Sequence, residues 1–507
     1  MISKVYSAIP YGYEGRIVEV EGDMNKGLPA FNIVGMANKT ITEARERVRS
    51  ALVNSDFSFP DKKVTINLAP ADLLKEGSFL DLSIALSIMV LSRQLLESDV
   101  KNRFFVGELS LNGELRPVRG IINIVEAARS AGLTEVFLPE QNLAQASLIS
   151  GVSLIGVKNL RELFLHLKGE QRISPKDPAS FVVENKETGS SAPILDHIRG
   201  QSVAKRALSV AIAGHHNILI SGPPGAGKTL LARAAANLLP PLSPPETTAI
   251  TKIHSLTGLS DSVITSRPFR SPHHTASAVS IIGGGAKATP GEISLAHLGV
   301  LFLDEIPEFP RTVLEALRQP LEDRTISISR ANSKTTYPAD FMLIATMNPC
   351  PCGYLGDPTH LCTCSETQIQ NYQKKLSGPL FDRIDMYIEV DRVENKDLRQ
   401  KVSTTSSEHD VVKKKITDAI ARQRSRFSKS DVYNSSLTSH QVSSLLRLTS
   451  RAETFLANAS EKLNLSARSY FKIIKVAQTI ADLDASPEID VAHLSEALTY
   501  RKRQRLD

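Results

Sequence analysis

The sequence predicts a multidomain α/β protein with a mixed α/β amino-terminal part, a core built on a parallel sheet and an all-α carboxyl-terminal part. Length is the first observation, because 507 residues correspond to about three domains of ordinary size. The second is a series of short apolar runs that alternate with helical segments in the middle of the chain, which is typical of a parallel sheet flanked by helices. The third is that strand-like runs stop near residue 394.

Residues 1–168 are predicted to form the amino-terminal α/β domain. Alternating apolar and polar residues at 17–20 and 64–68 indicate half-buried strands. Ala44, Val48 and Ala51 lie on one face of a predicted helix. The polar stretch 169–193 contains Pro and Ser and has no sustained apolar period, so it is predicted to be a linker.

The central domain is predicted over residues 194–393 and the helical domain over residues 394–507. The expected strands of the central domain are the apolar runs NILIS, VLFLDE, MLIAT and MYIEV. In the last part, Ile473, Val476 and Ile480 repeat at helical spacing.

The composition excludes several classes of protein. With 41% hydrophobic and 22% charged residues, the chain is neither collagen-like, a coiled coil nor wholly disordered. The longest apolar stretch, 80–96, is interrupted by charged residues and is shorter than the ~20 residues of a membrane span. The first residues lack the apolar core of a secretory signal, so we expect a cytoplasmic protein. A net charge of +6 permits a nucleic-acid partner but is small for this length.

A glycine-rich loop is the strongest local signal. Its residues are Gly222, Pro223, Pro224, Gly225, Ala226, Gly227, Lys228 and Thr229. They match the pattern GxxxxGK[ST] and lie between a predicted strand and a predicted helix. Backbone N–H groups of such a loop surround phosphates, Lys228 reaches the β- and γ-phosphates, and Thr229 binds Mg²⁺. The sequence therefore predicts a site for ATP and Mg²⁺.

Two acidic residues follow a later predicted strand. The apolar run 300–303 leads directly to Asp304 and Glu305. Because a phosphate-binding loop needs a carboxylate at a second strand end to hold the metal, Asp304 is the predicted partner of Thr229 in binding Mg²⁺. Glu305 has the chemistry to orient and deprotonate a water molecule, which favours hydrolysis over nucleotide sensing alone.

Longer motifs resemble those of one protein family. GPPGAGKT, VLFLDE and the run Ala345–Asn348 are similar to the Walker A, Walker B and sensor 1 motifs of AAA+ ATPases. The motifs FRSPHHT, GGGAKATPGEISLAHLGVLFLDE, NPCPCG and LSGPLFDRID are more specific. With them the chain resembles the magnesium-chelatase-like AAA+ proteins of the ComM/YifB type over essentially its whole length.

This resemblance implies roles for three further residues. Asn348 matches the sensor 1 residue, Arg383 matches the arginine finger that completes a neighbouring subunit's site, and Arg468 resembles sensor 2 in a helical lid. Without the family motif, Arg383 is interpreted as a surface ion-pair residue and Arg468 as a basic residue near a helix start. A finger that acts between subunits implies a ring, which we expect to be a homo-hexamer.

All four cysteines fall in one short segment, as Cys350, Cys352, Cys362 and Cys364. Two close pairs joined by a turn-rich loop, 350–364, can close a tetrahedral site of four thiolates, and Zn²⁺ held this way would be structural. A reversible redox pair and unmetallated buried cysteines are alternatives, since Cys-x-Cys pairs are less usual than Cys-x-x-Cys. His360 could replace one ligand.

The resemblance also implies a Lon protease-like fold for residues 1–168. The segments LAPADLLKEGSFLDLSIAL and VGELSLNG carry it. A Lon-type peptidase uses a serine nucleophile that a lysine activates, and the matching positions are Phe79 and Ile122. Ser78 would restore a nucleophile under a shifted alignment, but no lysine lies close to Ile122 in the sequence. The domain is therefore predicted to be an inactive relative that serves assembly or partner binding.

Residues 322–338 predict two short strands around the sequence Ala-Asn-Ser at 331–333. In related AAA+ machines a hairpin at this place faces the ring pore, so Arg330 and Lys334 are candidates for contacts with DNA phosphates. An ordinary solvated turn is the alternative. The basic segment 501–505 is a further candidate, with a solvated helix end as its alternative. Neither segment has interleaved aromatic residues, so sequence-specific reading of bases is not indicated.

Three functions are consistent with these patterns. The resemblance implies a ring-forming ATP hydrolase that moves along DNA, in branch migration during recombination or natural transformation, with single-stranded or branched DNA as its partner and no membrane partner. The Lon-like segment motivates an ATP-dependent protein remodeller or protease. The chelatase motifs motivate a motor subunit for metal insertion, which would need separate porphyrin-binding partners.

Overall fold

The computed structural model describes ten stretches of the chain. They are residues 2–35, 39–75, 77–176, 195–258, 262–285, 288–329, 334–357, 360–392, 407–427 and 432–501. The described residues belong to two compact units. The first unit comprises Met1–Lys186, Ser243–Thr265 and Ser329–Tyr337, and the second comprises Glu187–Leu242, Ser266–Ile328 and Pro338–Asp507.

The elements follow one another along both units. The strands are β1 (Ile2–Tyr11), β2 (Glu14–Asn25), β3 (Ala30–Val34), β4 (Lys63–Ala69), β5 (Arg103–Phe105), β6 (Glu108–Leu109), β7 (Leu115–Arg116), β8 (Glu135–Pro139), β9 (Ser153–Val157), β10 (Ile218–Ser221), β11 (Phe269–Arg270), β12 (Gly283–Gly284), β13 (Thr289–Pro290), β14 (Val300–Leu303), β15 (Thr325–Ser329), β16 (Lys334–Pro338), β17 (Met342–Met347) and β18 (Met386–Glu389). The helices are α1 (Lys39–Asn54), α2 (Asp81–Leu91), α3 (Glu97–Val100), α4 (Ile121–Ser130), α5 (Leu143–Ala146), α6 (Leu160–Lys168), α7 (Ser202–Gly214), α8 (Lys228–Leu238), α9 (Pro244–Thr257), α10 (Ala278–Ile282), α11 (Glu292–Leu295), α12 (Arg311–Ala316), α13 (Arg318–Asp323), α14 (Glu366–Lys374), α15 (Gly378–Phe381), α16 (Glu408–Phe427), α17 (Ser439–Leu445), α18 (Ser450–Lys462), α19 (Ala467–Leu483) and α20 (Val491–Thr499).

A mixed seven-stranded sheet organises the first unit, in the order β3-β4-β2-β1-β5-β8-β9. β1 pairs antiparallel with β2 along its whole length, whereas β5, β8 and β9 are parallel. Helix α2 is apolar apart from Asp81, Ser83 and Ser87, and every one of its residues is buried, as expected for a helix in the centre of a core. The strands predicted at 17–20 and 64–68 and the helix predicted around Val48 are confirmed.

The positions that match a Lon-type serine and lysine are apolar and share one cluster. Ile122 is fully buried in it, and Phe79 packs against it. The hydroxyl of Ser78 donates a hydrogen bond to the Glu108 carboxylate, and the buried ammonium of Lys75 donates to the carbonyl oxygen of Pro70. Neither bond pairs a serine with a lysine.

Two segments from the middle of the sequence complete the first unit. Helix α9 brings the Lys252 ammonium into an ion pair with Glu126 and to 4.2 Å from the centre of the Tyr13 ring. The Gly120 N–H donates to the Ser255 carbonyl oxygen at 3.0 Å. In the predicted domain division, α9 belongs to the central domain. The division into 1–168, 169–193, 194–393 and 394–507 stays a prediction. Residues 177–194 and 393–406, which contain two of its boundaries, lie outside the described ranges.

A five-stranded sheet organises the second unit, in the order β11-β14-β17-β10-β18. Every pair of neighbours in it is parallel, which confirms the predicted parallel sheet. The described residues 407–427 and 432–501 contain helices α16 to α20 and no strand, in agreement with the predicted helical part. Their apolar residues join the core that also contains β10 and α7.

The predicted hairpin is present as a two-stranded sheet of β15 and β16. Lys334 opens β16 and is exposed, whereas Arg330 and residues 331–333 lie outside the described ranges. Residues 502–505 of the basic carboxyl-terminal segment also lie outside the described ranges.

None of the helices within the described ranges combines the length and the apolar character needed to cross a membrane.

Candidate nucleotide site

Three parallel strands bring the predicted nucleotide residues to one edge of the second unit's sheet. β17 lies between β14 and β10, with Ala345 opposite Leu303 and Met347 opposite Ser221. The chain leaves β10 into the glycine-rich loop, leaves β14 into Asp304 and Glu305, and leaves β17 into Asn348. Because parallel strands end at the same edge, these three segments form one site.

Glycines shape the loop between β10 and α8. Gly225 and Gly227 have φ angles of +79° and +84°, in the left-handed region where a side chain is unfavourable. No described heavy atom lies within 4 Å of the place of a Cβ at either glycine, so this side of the loop is open. At Gly222 the restriction is space, since a Cβ there would lie 2.3 Å from the Val390 carbonyl oxygen.

Lys228 begins helix α8, and its ammonium group is buried against the loop. Nζ donates to the carbonyl oxygen of Gly222, to that of Pro223 at 3.1 Å and to Oδ1 of Asn348 at 2.9 Å. Burial lowers the pKa of Lys228, while the nearby carboxylates of Asp304 and Glu305 act in the opposite direction. Phosphate oxygens would be stronger acceptors for this ammonium than the neutral groups that now hold it.

Thr229 and Asp304 are in contact at the place predicted for Mg²⁺. The Thr229 hydroxyl donates to Oδ2 of Asp304 at 3.2 Å. The buried hydroxyl of Thr346 donates to the other oxygen of Asp304 and accepts the N–H of Glu305 at 3.0 Å. Thr346 thus fixes both acidic residues. Sequence reasoning missed it, although a polar residue two positions before Asn348 on an apolar strand faces the same side as Asn348.

Glu305 has an unusual backbone conformation, with φ at +52°. A residue with a side chain pays about 1–3 kcal/mol for such a conformation, and these conformations cluster at functional sites. The Asn348 amide donates to Oε1 of Glu305 at 3.3 Å. The predicted base, the predicted sensor and Lys228 therefore form a continuous chain of hydrogen bonds.

The two predicted arginines line a different part of the second unit. Arg383 and Arg468 both face a cavity of about 630 Å³, whose described lining contains no residue of the loop 222–229. The Arg383 guanidinium donates to the Pro379 carbonyl oxygen at 2.7 Å and forms an ion pair with Glu322, which lowers the pKa of Glu322. Glu322 was not predicted as the partner of Arg383. The site residues thus form two groups, one around Lys228 and one around Arg383.

The four cysteine sulfurs form a compact cluster. Ligand atoms of Cys350, Cys352, Cys362 and Cys364 all lie within 4.8 Å of one another. Three of the separations are 3.4, 3.6 and 3.7 Å. Four thiolates at about 2.3 Å from a tetrahedral Zn²⁺ would have similar separations, so the cluster fits that ion. His360 is not part of this set, and its ring stacks on Tyr354.

The cysteine loop packs against the glycine-rich loop. Gly353 has a φ of +85°, and a Cβ there would lie 2.8 Å from Cδ of Pro224. Only a residue without a side chain allows this approach. The predicted metal cluster and the predicted phosphate loop are therefore in direct contact through Gly353 and Pro224.

Models of magnesium chelatase families match most of the chain. The model described as magnesium chelatase, subunit ChlI, matches residues 194–398, and a second model of that subunit matches residues 20–142. The model of the carboxyl-terminal part of the subunit matches residues 405–501.

Individual relatives match over the full length. The chain is 42% identical over 508 residues to competence protein ComM of Haemophilus influenzae, covering 99% of this chain and 98% of the relative. It is 39% identical over 511 residues to the uncharacterized protein YifB of Escherichia coli K12, covering 100% and 98%. A partial match, 26% identical over 153 residues, covers 29% of the chain and 24% of an archaeal Lon protease of Methanocaldococcus jannaschii.

We expect Glu305→Gln to keep nucleotide affinity and to lower the rate of ATP hydrolysis about 10²- to 10⁴-fold, because the amide cannot accept the proton of the attacking water. Lys228→Ala should instead weaken nucleotide binding. Equilibrium binding of ATP and steady-state phosphate release measure the two effects separately.

The matched control is Glu308→Gln, because Glu308 follows in the same turn but forms an exposed ion pair with Lys375 at 3.2 Å. This variant should hydrolyse ATP at the normal rate. Normal turnover of Glu305→Gln would show that Glu305 is not the base.

Proposed function

Because this chain belongs to the ComM/YifB family of magnesium-chelatase-like proteins, we propose that it is a ring-forming AAA+ ATPase that couples ATP hydrolysis to movement along DNA. One observation carries the ATPase part of the proposal. Lys228 contacts Asn348, Asn348 contacts Glu305, and Thr229 contacts Asp304. A phosphate-binding cation, a sensor, a base and a metal-binding pair are thus arranged around one place for a γ-phosphate.

The position of Arg383 supports catalysis between subunits. Arg383 shares its cavity with Arg468 and not with the glycine-rich loop of its own chain. A cationic pair in that place can stabilise a transferring phosphoryl group only if another chain presents the nucleotide. We therefore propose that both arginines act on the nucleotide of a neighbouring subunit in a homo-hexamer.

We expect Arg383→Ala chains to bind ATP almost normally and to hydrolyse it about 10³- to 10⁵-fold more slowly, because an arginine finger acts mainly in the transition state. Mixing them with Lys228→Ala chains should restore part of the activity, because an intact glycine-rich loop then meets an intact finger. Phosphate release is measured across a series of mixing ratios.

The control for loss of an arginine is Arg451→Ala, because Arg451 is exposed on α18 and does not line the cavity. This variant should be fully active alone. If the two inactive variants co-assemble and never complement each other, or if monomers hydrolyse ATP at the full rate, the finger does not act between subunits.

The DNA part of the proposal depends on the hairpin and on the family. One relative is a competence protein, which favours a role in recombination or natural transformation, and we propose branch migration as the activity. Lys334 is exposed at the start of β16, where a phosphate could reach it.

We expect DNA to raise the ATPase rate and the Arg330→Ala, Lys334→Ala variant to bind DNA more weakly on all sequences. Each lost phosphate contact should reduce the slope of log affinity against log salt by about 0.7 for single strands and 0.9 for duplex. Binding and ATPase rates are measured with single-stranded, duplex and branched DNA over a salt series.

Lys101→Ala is the control for charge, because Lys101 is exposed in the first unit. It should leave the salt slope unchanged. An ATPase rate that is the same without DNA and with all three DNA forms would contradict movement along DNA.

The partial match to an archaeal Lon protease and the magnesium chelatase models motivate the other two functions, but each function needs components that the described residues do not support. A Lon-type protease needs a serine and a lysine where Phe79 and Ile122 pack in an apolar cluster. A chelatase motor needs partner chains that hold the porphyrin. ATP-dependent cleavage of casein that survives Ser78→Ala would reopen the first, and a porphyrin-dependent increase of the ATPase rate would reopen the second.

We further propose that the cysteine cluster binds one structural Zn²⁺. All four positions of a tetrahedral ion would be filled by thiolates, which leaves no place for a reactive water. Backbone N–H groups of Tyr354 and Thr363 lower the pKa of the Cys352 thiol, whereas burial raises the pKa of the Cys350 thiol, so binding of the ion would have to release the proton there.

We expect one zinc atom for each chain, and a loss of zinc in the Cys350→Ser, Cys362→Ser variant, because two hydroxyl groups cannot replace two thiolates. Elemental analysis of the purified protein measures this. His360→Ala should keep its zinc, since His360 lies outside the four-sulfur set. Full zinc occupancy of the double cysteine variant would exclude the cluster as the site.

A further inference from the structure

Asn217 stands immediately before β10, the strand that leads to the glycine-rich loop, and joins three parts of the second unit. Its Oδ1 accepts the N–H of Leu343 at 2.9 Å, which fixes it to β17. Its Nδ2 donates to the carbonyl oxygen of Arg383 at 3.1 Å. Sequence reasoning gave Asn217 no role, and it lies at the end of β10 opposite to the nucleotide site.

The backbone of Asn217 holds the same segment as its side chain. Its N–H donates to Oδ2 of Asp385 at 2.9 Å, and its carbonyl oxygen accepts the N–H groups of Asp385 at 2.9 Å and Met386 at 3.0 Å. Five hydrogen bonds therefore involve this single residue, and four of them reach the segment 383–386.

The segment that carries Arg383 has a second attachment on its other side. Lys472 on α19 donates from its largely buried ammonium to the Ile384 carbonyl oxygen at 2.6 Å. Arg468 lies one turn earlier on the same helix. The backbone next to Arg383 is therefore fixed between the strand of the glycine-rich loop and the helix of Arg468.

We propose that Asn217 is a positioning residue for Arg383, and that it links the orientation of this arginine to the glycine-rich loop of the same chain. The inference rests on the proposed function, in which Arg383 acts on a neighbouring subunit's nucleotide. Strand β10 spans only Ile218–Ser221, about 13 Å at the rise of a strand, and all of it is buried. This short buried strand is the connection through which a displacement of the loop would reach Asn217.

The chemistry of an asparagine suits this position. A short side-chain amide presents a donor and an acceptor at once, and here each meets one backbone group. Aspartate has the same shape and keeps the acceptor for Leu343, but it loses the donor and presents a carboxylate to the Arg383 carbonyl oxygen. Asn217→Asp therefore changes the support of Arg383 and preserves the contact with β17.

The test uses mixed rings of full-length chains. Asn217→Asp alone should bind ATP with an affinity within about twofold of the unmodified protein and hydrolyse it about 10- to 100-fold more slowly, since a small misplacement of a catalytic group has effects of this size. Mixing it with Lys228→Ala chains should restore activity, because these supply intact arginines. Mixing it with Arg383→Ala chains should restore nothing.

A double variant gives a second measurement. If Asn217 acts through Arg383, adding Asn217→Asp to Arg383→Ala should lower the rate no further, because coupled residues are not additive. Additive losses would contradict the positioning role. If Asn217→Asp chains do not assemble, Asn217→Ser, which removes both amide contacts without adding a charge, is judged by the same criteria.

Asn142→Asp is the matched control. Asn142 is a buried asparagine of the first unit whose amide also holds one N–H and one carbonyl oxygen, both of Val118, at 2.8 and 3.1 Å. The Asn142→Asp substitution should lower thermal stability. Mixing Asn142→Asp chains with Lys228→Ala chains should give no more activity than the Asn142→Asp chains have alone.

The outcomes separate this inference from the proposed function. If Arg383→Ala and Lys228→Ala chains fail to complement each other, the proposed function fails. If they complement each other but Asn217→Asp chains are fully active, are rescued only by Arg383→Ala chains or are rescued by neither, the positioning role alone is wrong.

Discussion

The parallel pairing of β10 with β17 on one side and β18 on the other is the constraint on which the candidate site depends. One register places Ser221 opposite Met347 and Glu389, so the loop after β10 and Asn348 after β17 leave the sheet together. The same register determines which residues meet at the opposite edge of the sheet, where Asn217 contacts the segment that carries Arg383. Both groups of site residues therefore depend on a single four-residue strand and its two neighbours.

At the edge of the sheet where the glycine-rich loop lies, neighbouring groups do not fully compensate the buried charge of Lys228 or the backbone strain of Glu305. Lys228 is 8% exposed, and its ammonium is held by two carbonyl oxygens and one amide oxygen. A buried cation is costly unless an opposite charge compensates it, and an anionic ligand would supply that charge. Glu305 stores strain in its backbone at the same place. These costs make sense for a site that binds a phosphate chain, and they are hard to explain as stabilisation of the fold.

Local motifs indicated which residues would lie together, and long-range contacts limited what could be predicted. Lys228, Asp304 and Asn348 could be recognised because each lies in a short motif at the end of an apolar run, and the structure brings them together. The two positions matched by resemblance to a Lon-type serine and lysine could be recognised as apolar from the sequence alone, and in the structure Phe79 and Ile122 share one cluster. Asn217 could not be found in this way. Arg383, whose carbonyl oxygen its amide contacts, is 166 positions away, and a single asparagine before a strand matches no sequence motif. The sequence position of α9, within the predicted central domain, likewise did not indicate that it packs in the first unit.

The contact between Gly353 and Pro224 would give the proposed zinc a physical role at the candidate nucleotide site. The four thiols lie at the two ends of the loop 350–364, so a bound ion would close the loop and remove much of the backbone freedom of the residues between them. Gly353 is one of those residues, and its left-handed conformation has to be kept for the backbone to approach the proline ring. Metal binding would thereby fix one wall of the glycine-rich loop from outside, in the way that β17 fixes it from within through the bond from the Gly222 N–H to the Met347 carbonyl oxygen. A structural ion can therefore support the phosphate site without contacting the nucleotide, because it restricts the backbone on which that site rests.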